Sequence, residues 1–148
     1  MAEFNSEPKM LEEQMCFHLY TVAREAVKNF HKYLAPYGFT YTQYIAMLVL
    51  WEKGCVNVSR MGEWLHLDSG TLTPLLKGLE KKGYITRTRS REDERVVNIT
   101  LTPLGDEMRK IVKNVPQHCE MCDLLTDEEK RVFRSLLRKL LNEQPSED

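Results

Sequence analysis

The residues best equipped for chemistry in this sequence are its thiols: Cys16 in MCFHLY, residues 15–20, and the pair Cys119 and Cys122 in HCEMC, residues 118–122. A thiol reacts as its thiolate, so it needs neighbours that stabilise negative charge and an open approach for its oxidant. Cysteine also packs as a small hydrophobe, and Cys16 falls on an apolar stripe, so its position alone favours a piece of core. His118, Cys119 and Cys122 offer metal donors, but a closed zinc site needs a fourth ligand and no matching C-x-x-C lies elsewhere. A thioredoxin-like use of C-x-x-C would need a βαβ pattern around it, which is missing. Cys55, beside a short extended stretch, is expected in the core. These readings call for no cofactor or metal.

A second group of residues suits nucleic acid. Between Lys77 and Arg95 seven cations face four carboxylates, a local net of +3 in a chain whose formal net charge is -1. Positive charge gathered in one place is what a phosphate backbone requires, although a basic run alone fits a solvated face equally well. Ser69, Thr71 and Thr73 carry short hydroxyl side chains able to approach base edges. Lys77, Arg87 and Arg91 are candidate phosphate contacts. Asp93 is placed to orient the neighbouring hairpin and leave Arg95 free for a narrow minor groove. The plainer alternative for Asp93 and Arg95 is a local surface ion pair.

The elements that must position these residues follow from periodicity and punctuation. From Pro8 to about Ala35, Cys16, Tyr20, Ala23, Val27, Phe30 and Leu34 recur at helical spacing, which places Cys16 about two turns into a long amphipathic helix. Thr40 with Gln43 forms a capping-box pattern for a largely apolar helix that Gly54 closes. After an extended stretch at residues 55–58, Ser59 is expected to cap a short helix. Asp68 to Gly70 turns into a second one, with Pro74 in its first turn and Gly83 at its end. YITRTR and VVNITLT then read as a two-stranded hairpin with the charged tip SREDER. Thr102 and Pro103 open a helix to about residue 115. Thr126 with Glu129 caps a last amphipathic helix.

At 148 residues, with 42% hydrophobic and 29% charged, the chain fits one ordinary globular domain. Its apolar runs are too short to span a bilayer, so no membrane role is expected. The opening residues MAEFNSEPKM do not read as a secretory signal, so the cytoplasm, with reduced thiols, is the expected compartment.

Helix, turn, helix and hairpin in that order make a winged helix-turn-helix pattern. The stretch DSGTLTPLLKGLEKKGYITRTRSREDERVVNITLT resembles the DNA-binding lobe of the MarR family, including a D-x-R-x5-L-T wing pattern at Asp93, Arg95, Leu101 and Thr102. LEEQMCFHLYTVAREAVK, with TYTQYIAMLVLWE after it, resembles the organic-hydroperoxide-sensing branch called OhrR. The resemblance implies a mainly α fold with a small β-hairpin wing, assembled as a MarR-like homodimer. A winged lobe at about 40–102 would lie between dimerisation helices at about 8–35 and 103–142. It further implies a repressor, not an enzyme, that binds a pseudo-palindromic operator in double-stranded DNA and releases it when an organic hydroperoxide oxidises Cys16. A thiol peroxidase would have no use for such a lobe.

In that branch two tyrosines of the partner subunit hydrogen-bond the reactive thiol. Tyr41 matches one of them. Phe30 stands at the other, a departure that removes a donor for which Tyr20, His31, Tyr33 or Tyr37 could substitute; Tyr41 and Tyr20 are the candidates for the thiolate. Cys119 or Cys122 would be the resolving thiol, across the dimer; otherwise a small cellular thiol would cap Cys16. The alternative is a regulator of the same fold that responds to a phenolic or other small apolar ligand, with Cys16 structural.

Overall fold

The computed structural model describes residues 10–143, which form six α-helices and one three-stranded antiparallel sheet. They divide into two compact units, one running up to Asn29 and resuming at Gln117, the other being Phe30–Pro116.

In the first unit a 3-10 turn, Leu11–Glu13, precedes α1, Met15–Leu34. Gln14 is extended between them (φ -87, ψ 109), so the helix starts later than its apolar spacing implied and Cys16 lies in the first turn. Pro8 lies outside the described residues. A second 3-10 turn, Glu120–Leu124, leads to α6, Asp127–Leu140, whose capping box is complete: Thr126 accepts from the Glu129 amide and the Glu129 carboxylate accepts from Thr126 N–H. Tyr20, Val22 and Val27 on α1 and Val132, Leu136 and Leu140 on α6 are all exposed. Apolar helix faces of this kind are stable in water only when something covers them.

The second unit receives the end of α1, where Phe30 and Leu34 are buried. Its centre is α2, Tyr41–Lys53, which buries Tyr44, Ala46, Met47, Leu50 and Trp51 and starts with the expected capping box at Thr40 and Gln43. Strand β1, Cys55–Asn57, is followed by α3, Val58–Leu65. The cap is Asn57 rather than Ser59: its Oδ1 accepts from Arg60 N–H at 2.8 Å, which starts the helix sooner. Helix α4, Ser69–Lys81, is capped by Asp68, whose Oδ1 accepts from Thr71 N–H at 2.9 Å. With Ser69 already helical, Pro74 falls inside the helix rather than in its first turn; the residue whose carbonyl loses a donor and meets the ring is Gly70, the least crowded choice.

The wing is β2, Ile85–Arg89, and β3, Val97–Leu101, joined by residues 90–96. β1 pairs with the far edge of β3, Val56 opposite Ile99, so the sheet has order β1-β3-β2 rather than being an isolated hairpin. That third strand exposes Cys55, whose sulfur accepts from the Thr100 hydroxyl at 3.5 Å, against the expectation of a core position.

Helix α5, Pro103–Ile111, gives way to a 3-10 turn at Val112–Asn114 and belongs to this unit. The Trp51 indole N–H donates to Gly105 O at 2.9 Å. The approach is close enough that a Cβ on Gly105 would lie 2.0 Å from Tyr84 O.

Candidate functional site

The candidate DNA-reading face of the second unit begins with α4. Ser69, Thr71 and Lys77 are exposed and Thr73 is half-buried. The hydroxyls of Ser69 and Thr73 make no hydrogen bond among the described residues, whereas Thr71 Oγ1 donates to Asp68 Oδ2 at 3.3 Å and is committed to the cap. That cap stabilises the Asp68 carboxylate and holds its pKa below the ordinary 3.8. Lys77 has no carboxylate partner among the described residues.

The wing tip follows local backbone rules. Asp93 Oδ1 accepts from the Arg95 amide at 3.0 Å and Asp93 O accepts from Val96 N–H at 2.9 Å, a carboxylate-closed turn. The carboxylate therefore orders the turn, and the Arg95 guanidinium is left without an ion pair among the described residues, as is Arg91. A groove of about 370 Å³ runs between Ser59, Thr73, Arg87 and Arg95.

Arg87 is placed differently from the other cations. It lies opposite the fully buried Ile99, on the same strand face as buried Ile85, and points inward. Its Nε and Nη2 both donate to Glu80 Oε2, at 2.9 and 2.7 Å, tying β2 to α4. That bond is the main reason the Glu80 carboxylate sits below its ordinary value. The period-two alternation of YITRTR carried this signal: with Ile85 inward, Arg87 is inward too.

Lys82 is likewise structural. Its ammonium donates to Gly38 O and, at 2.8 Å, to Gln43 Oε1, fastening the end of α4 to the start of α2, and burial lowers its pKa.

Cys16 is exposed and makes no hydrogen bond among the described residues. Tyr20, also exposed, has the Arg24 guanidinium over its ring at 5.6 Å. Tyr41 is in the second unit, with its ring 5.0 Å from that of buried Phe30, so Phe30 fills space beside the matching tyrosine. His31 is exposed; Tyr33 and Tyr37 are half-buried.

Cys119 and Cys122 are brought together, a juxtaposition that weighing them as alternatives had missed. Their sulfurs are 3.3 Å apart, with Cys119 buried and Cys122 half-buried, and burial followed by the Cys119 hydrogen bond raises the Cys122 pKa. His118 turns away, its Nε2 2.8 Å from Asp123 Oδ1. Among the described residues no cluster of three or more His, Cys, Asp or Glu could hold a metal ion, and no helix is long and apolar enough to cross a membrane.

A helix pair with a strand-backed wing defines a winged helix-turn-helix protein. The family described as transcriptional regulator SarA/Rot matches residues 28–115. The organic hydroperoxide resistance transcriptional regulator of Bacillus subtilis (strain 168) is 44% identical over 131 residues, 88% of this chain and 89% of that one. Overoxidized AbfR bound to DNA, a Staphylococcus epidermidis protein, is similar at TM-score 0.74 and 37% identity, over 89% of this chain and 93% of that one. The same protein is also known in a disulfide-formed state. A mutant MarR from E. coli complexed with operator DNA shares the fold at TM-score 0.79 and 24% identity, over 90% of this chain and 99% of that one. The chain belongs to the SarA/Rot family of transcriptional regulators, within the MarR-type winged-helix fold, and is not an enzyme.

Proposed function

We propose that this chain is a homodimeric repressor that binds a pseudo-palindromic operator through its two winged lobes and releases it when an organic hydroperoxide oxidises Cys16. The observation that carries the reading is an exposed thiol on an exposed apolar face of α1, in a chain whose other unit presents Lys77, Arg91 and Arg95 without carboxylate partners among the described residues. A second copy covering α1 and α6 would bury that face and leave Cys16 at the seam, with an apolar approach for its oxidant. Tyrosine hydroxyls, Tyr41 and Tyr20 foremost, would stabilise the thiolate there without adding a buried charge. The Bacillus relative, named for organic hydroperoxide resistance, and AbfR, known on DNA in an overoxidized state, support the same assignment.

In the chemical step the Cys16 thiolate attacks a peroxide oxygen; the S–O bond forms, the O–O bond breaks, and the departing alkoxide takes a proton to leave as the alcohol. The resulting sulfenic acid condenses with a second thiol, from the Cys119/Cys122 pair or a small cellular thiol, and water leaves. Loss of a hundredfold in operator affinity requires only about 2.7 kcal/mol of coupling.

A gel-shift titration with cumene hydroperoxide tests this. Wild type should release DNA and Cys16→Ser should hold it; release by Cys16→Ser at the wild-type dose defeats the proposal.

A further inference from the structure

The Cys119 and Cys122 sulfurs lie 3.3 Å apart in one chain. We propose that the two form a disulfide within one chain, and that this pair takes the oxidising equivalent from Cys16 and returns Cys16 to the thiol. The inference rests on Cys16 being the hydroperoxide-reactive residue.

The backbone is already shaped for the bond. Cys122 N–H donates to Cys119 O at 2.9 Å, closing an i to i+3 turn. Such a turn holds its end Cα atoms within about 7 Å, which overlaps the ~4.4–6.8 Å window of disulfides. The sulfurs need to approach by only about 1.3 Å to reach bonding distance. The following helix is anchored separately by the Thr126 capping box, so closure requires no rearrangement there.

Accessibility sets the order of events. Cys122 lines an apolar groove of about 540 Å³ with Val22, Leu125 and Val132, whereas Cys119 is buried behind it with only 7% exposure. Cys122 is therefore the thiol that meets oxidised Cys16. Its raised pKa keeps it protonated at rest, and a protonated thiol is a poor nucleophile toward peroxide, so oxidation enters through Cys16.

Cys122 attacks the Cys16 sulfenic acid, the S–S bond forms and water leaves. Cys119 then attacks the Cys122 sulfur; the bond to Cys16 breaks, and Cys16 departs as thiolate and takes up the proton that Cys119 loses. The sum is one hydroperoxide and two thiols converted to alcohol, water and one disulfide. Emptying Cys16 in this way limits its exposure to a second, irreversible oxidation.

The experiment uses the full chain, reduced, then treated with stoichiometric cumene hydroperoxide and quenched at intervals with N-ethylmaleimide. Both thiols lie in one tryptic peptide, residues 114–130, so the bridge appears as that peptide unlabelled and lighter by two hydrogens. Wild type should accumulate it while labelling of Cys16 recovers. Cys119→Ser should lose that recovery and stall as a Cys16–Cys122 crosslink. A wild-type end product in which Cys16 stays bonded to Cys119 or Cys122 overturns the transfer.

Diamide treatment of Cys16→Ser separates the two ideas, because it should close the pair without any sensor. If hydroperoxide leaves Cys16 intact while diamide still closes the bridge, the sensor reading falls, and the transfer with it. If Cys16 is oxidised and no bridge follows with either reagent, the pair is overturned and the sensor reading stands.

Discussion

Replacing Lys77 and Arg87 separately should have opposite consequences, although both are cations of the same basic stretch. Lys77 is exposed and without a carboxylate partner, whereas Arg87 is turned inward onto Glu80. If Lys77, Arg91 and Arg95 are the cations of each lobe that meet the DNA backbone, a dimer makes six such contacts. At about -0.9 per phosphate, log affinity should fall with log salt at a slope of about -5.4, or ~10³-fold between 50 and 200 mM. Lys77→Ala removes one contact per subunit, flattening the slope to about -3.6 and the loss to ~10²-fold. Arg87→Gln should leave the slope near its wild-type value and lower the melting temperature instead, because it unties β2 from α4. Fluorescence anisotropy with an operator duplex across a salt series reads the first effect and a thermal melt the second. A slope that flattens as much in Arg87→Gln as in Lys77→Ala would refute the division of labour drawn from the Glu80 bond.

Gly105→Ala should destabilise the chain by about 1–3 kcal/mol in urea unfolding despite alanine's better helix propensity, because the new methyl meets a backbone carbonyl that cannot step aside. Asp68 and Glu80 both titrate below their ordinary values, so the stability they contribute is fully present above those values and is lost as pH falls through the lower, folded ones. Acid melts should therefore show Asp68→Asn and Glu80→Gln less sensitive to pH below about 4.5 than wild type. Leu136→Glu, at a position 54% exposed in the single chain, should preserve helicity by circular dichroism but shift sedimentation from dimer to monomer.

Local chemistry was legible wherever it is decided by residues close in sequence. The capping boxes at Thr40 and Thr126 stand as read, and the Asp68–Gly70 turn and the Asp93 wing tip fall where a carboxylate reaches a backbone amide two or three residues away. What escaped depended on partners far along the chain. The third strand exists because Val56 pairs with Ile99, and nothing near Cys55 announces it. Ser59 and Asn57 are both competent caps, and the strand register chose between them. That α5 packs with the winged lobe likewise depends on a distant partner, the Trp51 indole that donates to Gly105 O. The thiols divided in the same way: their types were readable, and the contact between Cys119 and Cys122 required the turn to be seen.

The two hydrogen bonds from Arg87 to one oxygen of Glu80 fasten the strand that leads to the wing tip to helix α4. In the proposed mode of binding neither can be tuned alone: a signal reaching this lobe would displace the contacts of α4 and of the wing in concert. Loosening of the grip on DNA would then register as the whole footprint fading together, not as protection lost first at its margins.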